Sequence, residues 1–179
     1  MKWKYVLLAA CIFFIAVLQS TVLDYARVFN VKPNLFILFI ISFALIRGNV
    51  EGATVGFFTG LTQDIISGKM LGFYALMGLY LGLAAGSLNK RLYRENIIVV
   101  IFFSFVSTLA YESVVYLTYE WGIYFFSSLV KNQIDILFAL KNIILPEAVY
   151  NSVVSVFMHA IVIRLTDRFE SAEKPVGKY

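Results

Sequence analysis

The sequence predicts an all-α integral membrane protein with six transmembrane helices and both termini on the cytoplasmic side. Three observations carry this. Hydrophobic residues make up 60% of the 179 residues and charged residues only 15%, against about 25% charged in soluble domains. The apolar residues fall into long segments cut by charged or turn-forming clusters. Lys and Arg are spread unevenly over the connections between those segments, as orientation in a membrane requires.

The first segment covers residues 5–23. The second, 34–46, follows Pro33, which suits the first turn of a helix because its missing N–H has no partner there. The third covers 52–66, the fourth 71–88, the fifth 97–119 and the sixth 146–165. Segments two and three fall short of the ~20 residues that a ~30 Å hydrocarbon layer asks for. They are expected to extend into their flanks or to lie in a locally protected place.

Between segments five and six lies "WGIYFFSSLVKNQIDILFALKNIIL", in which Lys131, Asp135 and Lys141 would be costly inside lipid. Ile134, Leu137, Phe138 and Leu145 keep a roughly amphipathic spacing, which predicts an interfacial or re-entrant helix on the outer face. Residues 1–168 form a single polytopic membrane domain on this view. Residues 169–179 are expected to be a short, disordered cytoplasmic tail.

With the N-terminus inside, Lys2, Lys4, Arg47, Lys90, Arg91, Arg94, Arg164, Arg168, Lys174 and Lys178 lie on the cytoplasmic side. Arg27, Lys32, Lys69, Lys131 and Lys141 lie outside, so the bias favours this orientation two to one. The net charge of +4 therefore determines topology rather than pointing to nucleic acid. The single cysteine excludes an internal disulfide, and Cys11 with His159 is too small a set for a zinc site. "LAAC" at residues 8–11 resembles a lipoprotein cleavage box, but the apolar run before it is shorter than a signal-peptide core of about 7–15 residues. An uncleaved helix is expected. His159 has no charged companion at helical spacing and is expected to be a packing residue.

Depth can be estimated from the 1.5 Å rise per residue, which puts Gln19, Asp64 and Glu112 roughly 18–23 Å from the inner boundary. Asn34 opens an inward-running helix and Asn151 lies one turn into another. Gln19, Asn34, Asp64, Glu112 and Asn151 thus converge on the outer third of the membrane. Polar groups at such depth face the protein interior or a wet cavity. They form either an outward-opening pocket or docking site, or a set of interhelical hydrogen bonds worth about 0.6 kcal/mol each.

Glycines recur every four residues at Gly52, Gly56 and Gly60, and Asp64 takes the next place; Gly78, Gly82 and Gly86 repeat the device in the fourth segment. Glycine at this spacing strips a helix face so that another backbone can come close. Segments three and four can pack on each other this way. A stripe that turns slowly around its helix also leaves room for a second neighbour, inside the chain or outside it.

The motifs of zinc proteases, serine hydrolases, phosphate loops and intramembrane aspartyl chemistry are all missing from the sequence. No catalytic residue, metal or other cofactor is expected. Two non-enzymatic classes remain, a scaffold for partner membrane proteins and a small-solute binding subunit.

Four stretches carry a resemblance: "LQSTVL" at 18–23, "KPNLFILF" at 32–39, "GATVGFFTGLTQDIISGKMLGFYAL" at 52–76 and "LPEAVYNSVVSVF" at 145–157. In their order and spacing the chain resembles the bacterial rod shape-determining protein MreD family over most of its length, with Pro33, Asn34, Pro146, Tyr150 and Asn151 among the matching positions. The resemblance implies a component of the cell-wall elongation machinery in the cytoplasmic membrane. Its implied partners are MreC, the MreB filament, RodA and a class B penicillin-binding transpeptidase, besides membrane lipid. It also implies a six-helix fold similar to the substrate-binding subunits of vitamin transporters, which keeps the small-solute alternative open. On the scaffold view, the glycine faces and Asp64 are expected to receive the membrane helix of MreC.

Overall fold

A helix that is apolar on every side has no solvent face to present and ends up enclosed by other elements. "LFILFIISFALIR" has that composition. In the computed structural model, which describes residues 2–28, 31–68, 70–89, 96–126 and 136–173, it forms helix α2 (Leu35–Arg47), with every residue from 35 to 46 buried. Its 13 residues reach only about 20 Å. Neighbouring helices, rather than length, keep it shielded.

Around α2 stand α1 (Lys2–Val17), α3 (Asn49–Ser67), α4 (Phe73–Ser87), α5 (Ile97–Phe126), α6 (Ile136–Ala139) and α7 (Leu145–Glu173). A π-helical turn, Leu18–Val22, closes α1, and another, Leu140–Ile144, joins α6 to α7 without a break. The described residues thus form six continuous helices and no strand. The stretches 4–22, 97–118 and 136–168 are long and apolar enough to cross a membrane, whereas α2 and α4 are shorter apolar helices.

One side of α2, with Phe36, Phe39 and Phe43, packs against Leu8, Ile12 and Ile15 of α1 and Met158 and Val162 of α7. The other side, with Ile37, Ile41 and Leu45, packs against Tyr74 of α4 and Val100, Tyr111 and Val115 of α5. Gly48 alone separates α2 from α3, at φ +90° and ψ −177°, so the chain reverses within one residue. Only glycine adopts that backbone without strain.

Helices α3 and α4 make the most extensive helix pair, and the glycines explain it. A Cβ on Gly56 would overlap the carbonyl oxygen of Gly78, one on Gly60 that of Tyr74, and one on Gly82 that of Gly52. Gly86 meets the backbone of Asn49 in the same way. The second neighbour of this seam is α2: a Cβ on Gly52 would lie 2.5 Å from Ala44 Cβ, and Ile40 lies 3.3 Å from such an atom on Gly56. Both glycine faces are therefore packed against elements of the same chain.

The stretch between segments five and six also differs from expectation. Residues 121–126 prolong α5 and Ile136–Ile144 prolongs α7, so the described parts belong to the flanking helices rather than to a separate interfacial one. Residues 127–135 lie outside the described residues. The last helix starts ten residues before Pro146. Proline offers no N–H and crowds the turn before it; the wider π-helical turn directly preceding it accommodates both effects. Helix α7 also continues to Glu173, so the tail expected from residue 169 is helical at its start. The basic loop at 90–95 and residues 174–179 lie outside the described residues.

Candidate functional site

At the end of the bundle where α1 closes and α2 begins, the turn from α1 to α2 brings exposed backbone groups beside polar side chains. Gln19 lies in the π-helical turn, and its side chain serves the start of α2 twice. Its Nε2 donates to the Pro33 carbonyl at 3.1 Å, and its Oε1 accepts from the Leu35 N–H at 2.9 Å. Helix starts leave backbone N–H groups without intrahelical partners, so these bonds hold α2 in place.

Asn34 caps α2 by accepting from the Ile37 N–H at 3.4 Å. Its own N–H donates to Asn151 Oδ1 at 2.8 Å, and its Nδ2 donates to Glu112 Oε1 at 3.3 Å. Asn151 Nδ2 in turn donates to Thr108 Oγ1 at 3.2 Å. One asparagine pair thereby ties α2, α5 and α7 together. Below it runs a seam of small buried hydroxyl residues, Ser104 and Thr108 of α5 and Ser152 and Ser155 of α7, the residue types that let membrane helices approach closely.

A cavity of about 570 Å³ opens beside this network. Gln19, Asn34, Gln63, Tyr74, Glu112 and Glu147 line it, together with Asp24, Arg27 and Lys32. Inside it the carboxyls of Glu112 and Glu147 lie beside each other. In the loop after α1, Arg27 and Lys32 both bind Asp24 Oδ1, at 2.8 and 2.9 Å. The Arg27 hydrogen bond, followed by that of Lys32, holds the Asp24 carboxyl below its ordinary value of 3.8. Tyr150 anchors the same loop by donating to the Ala26 carbonyl at 3.1 Å.

Of the five residues expected to share one layer, the structure joins Gln19, Asn34, Glu112 and Asn151 around the start of α2. It does not join Asp64. That carboxylate is buried and accepts from the N–H groups of Gly72, Tyr74 and Ala75 at 3.0, 2.9 and 3.0 Å, closing the turn between α3 and α4. Among the matching motif positions, Pro33 contributes its carbonyl and Tyr150 its hydroxyl. Glu147 and Thr108 escape sequence reasoning. For Glu147 a signal exists, since it lies between Pro146 and Tyr150 in "LPEAVY"; nothing local marks Thr108. His159 is buried in α7.

The second large concavity, about 620 Å³, is a groove between α1 and α3 lined by Leu8, Ala9, Ile12, Phe13, Phe58 and Leu61 among others. Lys4 and Arg47 close one end by both binding Glu51 Oε2 at 2.9 Å.

A helical bundle with three helices long and apolar enough to cross a membrane, a glycine-sealed helix pair and a buried polar network at one end has the make-up of a membrane protein. The model of the rod shape-determining protein MreD family matches residues 1–169, and the chain belongs to that family. No curated protein and no solved structure matches it significantly. Membership makes it a protein of bacterial rod-shape determination and part of the rod-shape machinery.

Proposed function

We propose that the protein is a non-enzymatic membrane component of the cell-wall elongation machinery, which maintains rod shape by binding MreC. Through that contact it is linked to RodA and a class B penicillin-binding transpeptidase, and to the MreB cytoskeleton. In this reading the chain spans the cytoplasmic membrane six times with both termini inside. The Lys4–Glu51–Arg47 cluster marks the inner edge, and the polar cavity opens outward. The family match over residues 1–169 is the observation that carries the reading.

With the glycine faces filled by α2, α3 and α4, an apolar membrane helix finds a concave apolar surface in the groove between α1 and α3. Filling it tests the reading. Ala9→Trp and Thr54→Trp, each placing a large ring in the groove, should reduce co-purification of MreC at least tenfold and turn rods into spheres, at unchanged membrane levels of the protein. Undiminished capture of MreC by both variants would overturn this contact.

The alternative, a substrate-binding subunit of a vitamin or small-solute transporter, draws on the 570 Å³ cavity, which is within the ~300–1,000 Å³ of small-ligand sites. Partners recovered with the detergent-solubilised protein separate the two. A coiled-coil protein with one membrane span supports the scaffold, and an ATPase pair supports the transporter.

A further inference from the structure

The cavity beside α2 has two unlike ends. Its interior holds two carboxyls and a buried amide oxygen. Glu112 and Glu147 both line it, Asn34 Nδ2 donates to Glu112 at 3.3 Å, and neither carboxyl has an ion-pair partner within 4 Å among the described residues. Gln63 lines the same space, and its Oε1 is buried with no hydrogen-bond partner among the described residues. Buried acceptors of this kind are costly unless a donor or cation meets them. In the loop the balance is reversed, because Arg27 and Lys32 share one carboxylate oxygen of Asp24 and leave one positive charge in excess.

We infer that the cavity binds a zwitterionic group with a primary ammonium on the Glu112, Glu147 and Gln63 side and a phosphate on the Arg27 and Lys32 side. A primary ammonium offers three N–H donors to the two carboxyls and the unpartnered amide oxygen. A quaternary ammonium offers none. Arginine beside lysine suits a phosphate, which guanidinium binds through paired N–H groups. This chemistry occurs as the headgroup of phosphatidylethanolamine and as free phosphoethanolamine. Ile66 and Ile143 form apolar parts of the wall and are themselves about half exposed, which would let acyl chains leave toward the bilayer. The inference is independent of how MreC binds.

The test uses the full-length protein in detergent, titrated separately with phosphatidylethanolamine, phosphatidylcholine and soluble phosphoethanolamine, with Kd and the thermal unfolding midpoint as readouts. Binding of at least one ethanolamine compound should be about tenfold tighter than that of phosphatidylcholine, and the two ethanolamine arms tell lipid from free ligand. Glu147→Gln and Gln63→Leu should each abolish the preference while keeping the unliganded midpoint. If Glu147→Gln does not fold, Gln63→Leu decides. Equal binding of the choline and ethanolamine lipids, no binding in any arm, or full preference retained in Gln63→Leu would overturn the inference.

Discussion

Asp64 shows how one side chain can serve two helices. It ends the glycine beat of α3, yet both its oxygens are spent on the first backbone N–H groups of α4. Those donors have no intrahelical partner, and a carboxylate at a helix start also gains from the helix dipole. Asp64→Ala would leave the buried N–H groups of Tyr74 and Ala75 unmet, a loss on the order of 3 kcal/mol that should appear as a lower unfolding midpoint and reduced membrane level. Asp64→Asn keeps an acceptor. At matched protein levels it should support rod-shaped cells, as a local structural role demands; spherical cells would show that the charge itself matters. For Asp24 the variable is pH. Its carboxyl is held below 3.8 by Arg27 and Lys32, so its contribution to stability is present above that value and is lost as pH falls through the depressed one. The midpoint difference between wild type and Asp24→Asn, measured near pH 7 and again near pH 2, should be present at the first and vanish at the second.

Between elements, the seam of α3 and α4 depends on absent side chains. Gly60 and Gly68 make a direct comparison, since one lacks space and the other lacks none. A Cβ on Gly60 would collide with the Tyr74 carbonyl and force the helices apart, whereas Gly68 has nothing within 4 Å but sits at φ +63°. Gly68→Ala should cost about 1 kcal/mol of backbone strain. Gly60→Ala should cost about 3 kcal/mol through overpacking, with a correspondingly larger drop in midpoint. Equal effects would mean that the seam is loose enough to shift. The two π-helical turns act at the same scale. One carries Gln19 to the start of α2, and the other lets a single helix run through Pro146 and bring Glu147 to the cavity.

For the molecule as a whole, α2 is the pillar on which the other helices meet. Its sequence announces burial because it is apolar all round, and its shortness follows from being enclosed by protein. The membrane class, the family, the close-packing glycines and most helix positions were legible in the sequence, whereas the start of the last helix before Pro146 and its continuation past residue 168 were not. Composition and a four-residue period report directly on solvent and on helical faces. What the chain order did not reveal was the choice of neighbours. Glu112 and Glu147 meet in one cavity wall, Asn34 finds Asn151 across 117 positions, and the glycine faces close on α2, α3 and α4. In lipid most sides of a helix are apolar, so the local pattern says little about which side meets which helix. That was decided only in the assembled bundle, where close backbone contact and satisfied hydrogen bonds had to be achieved together.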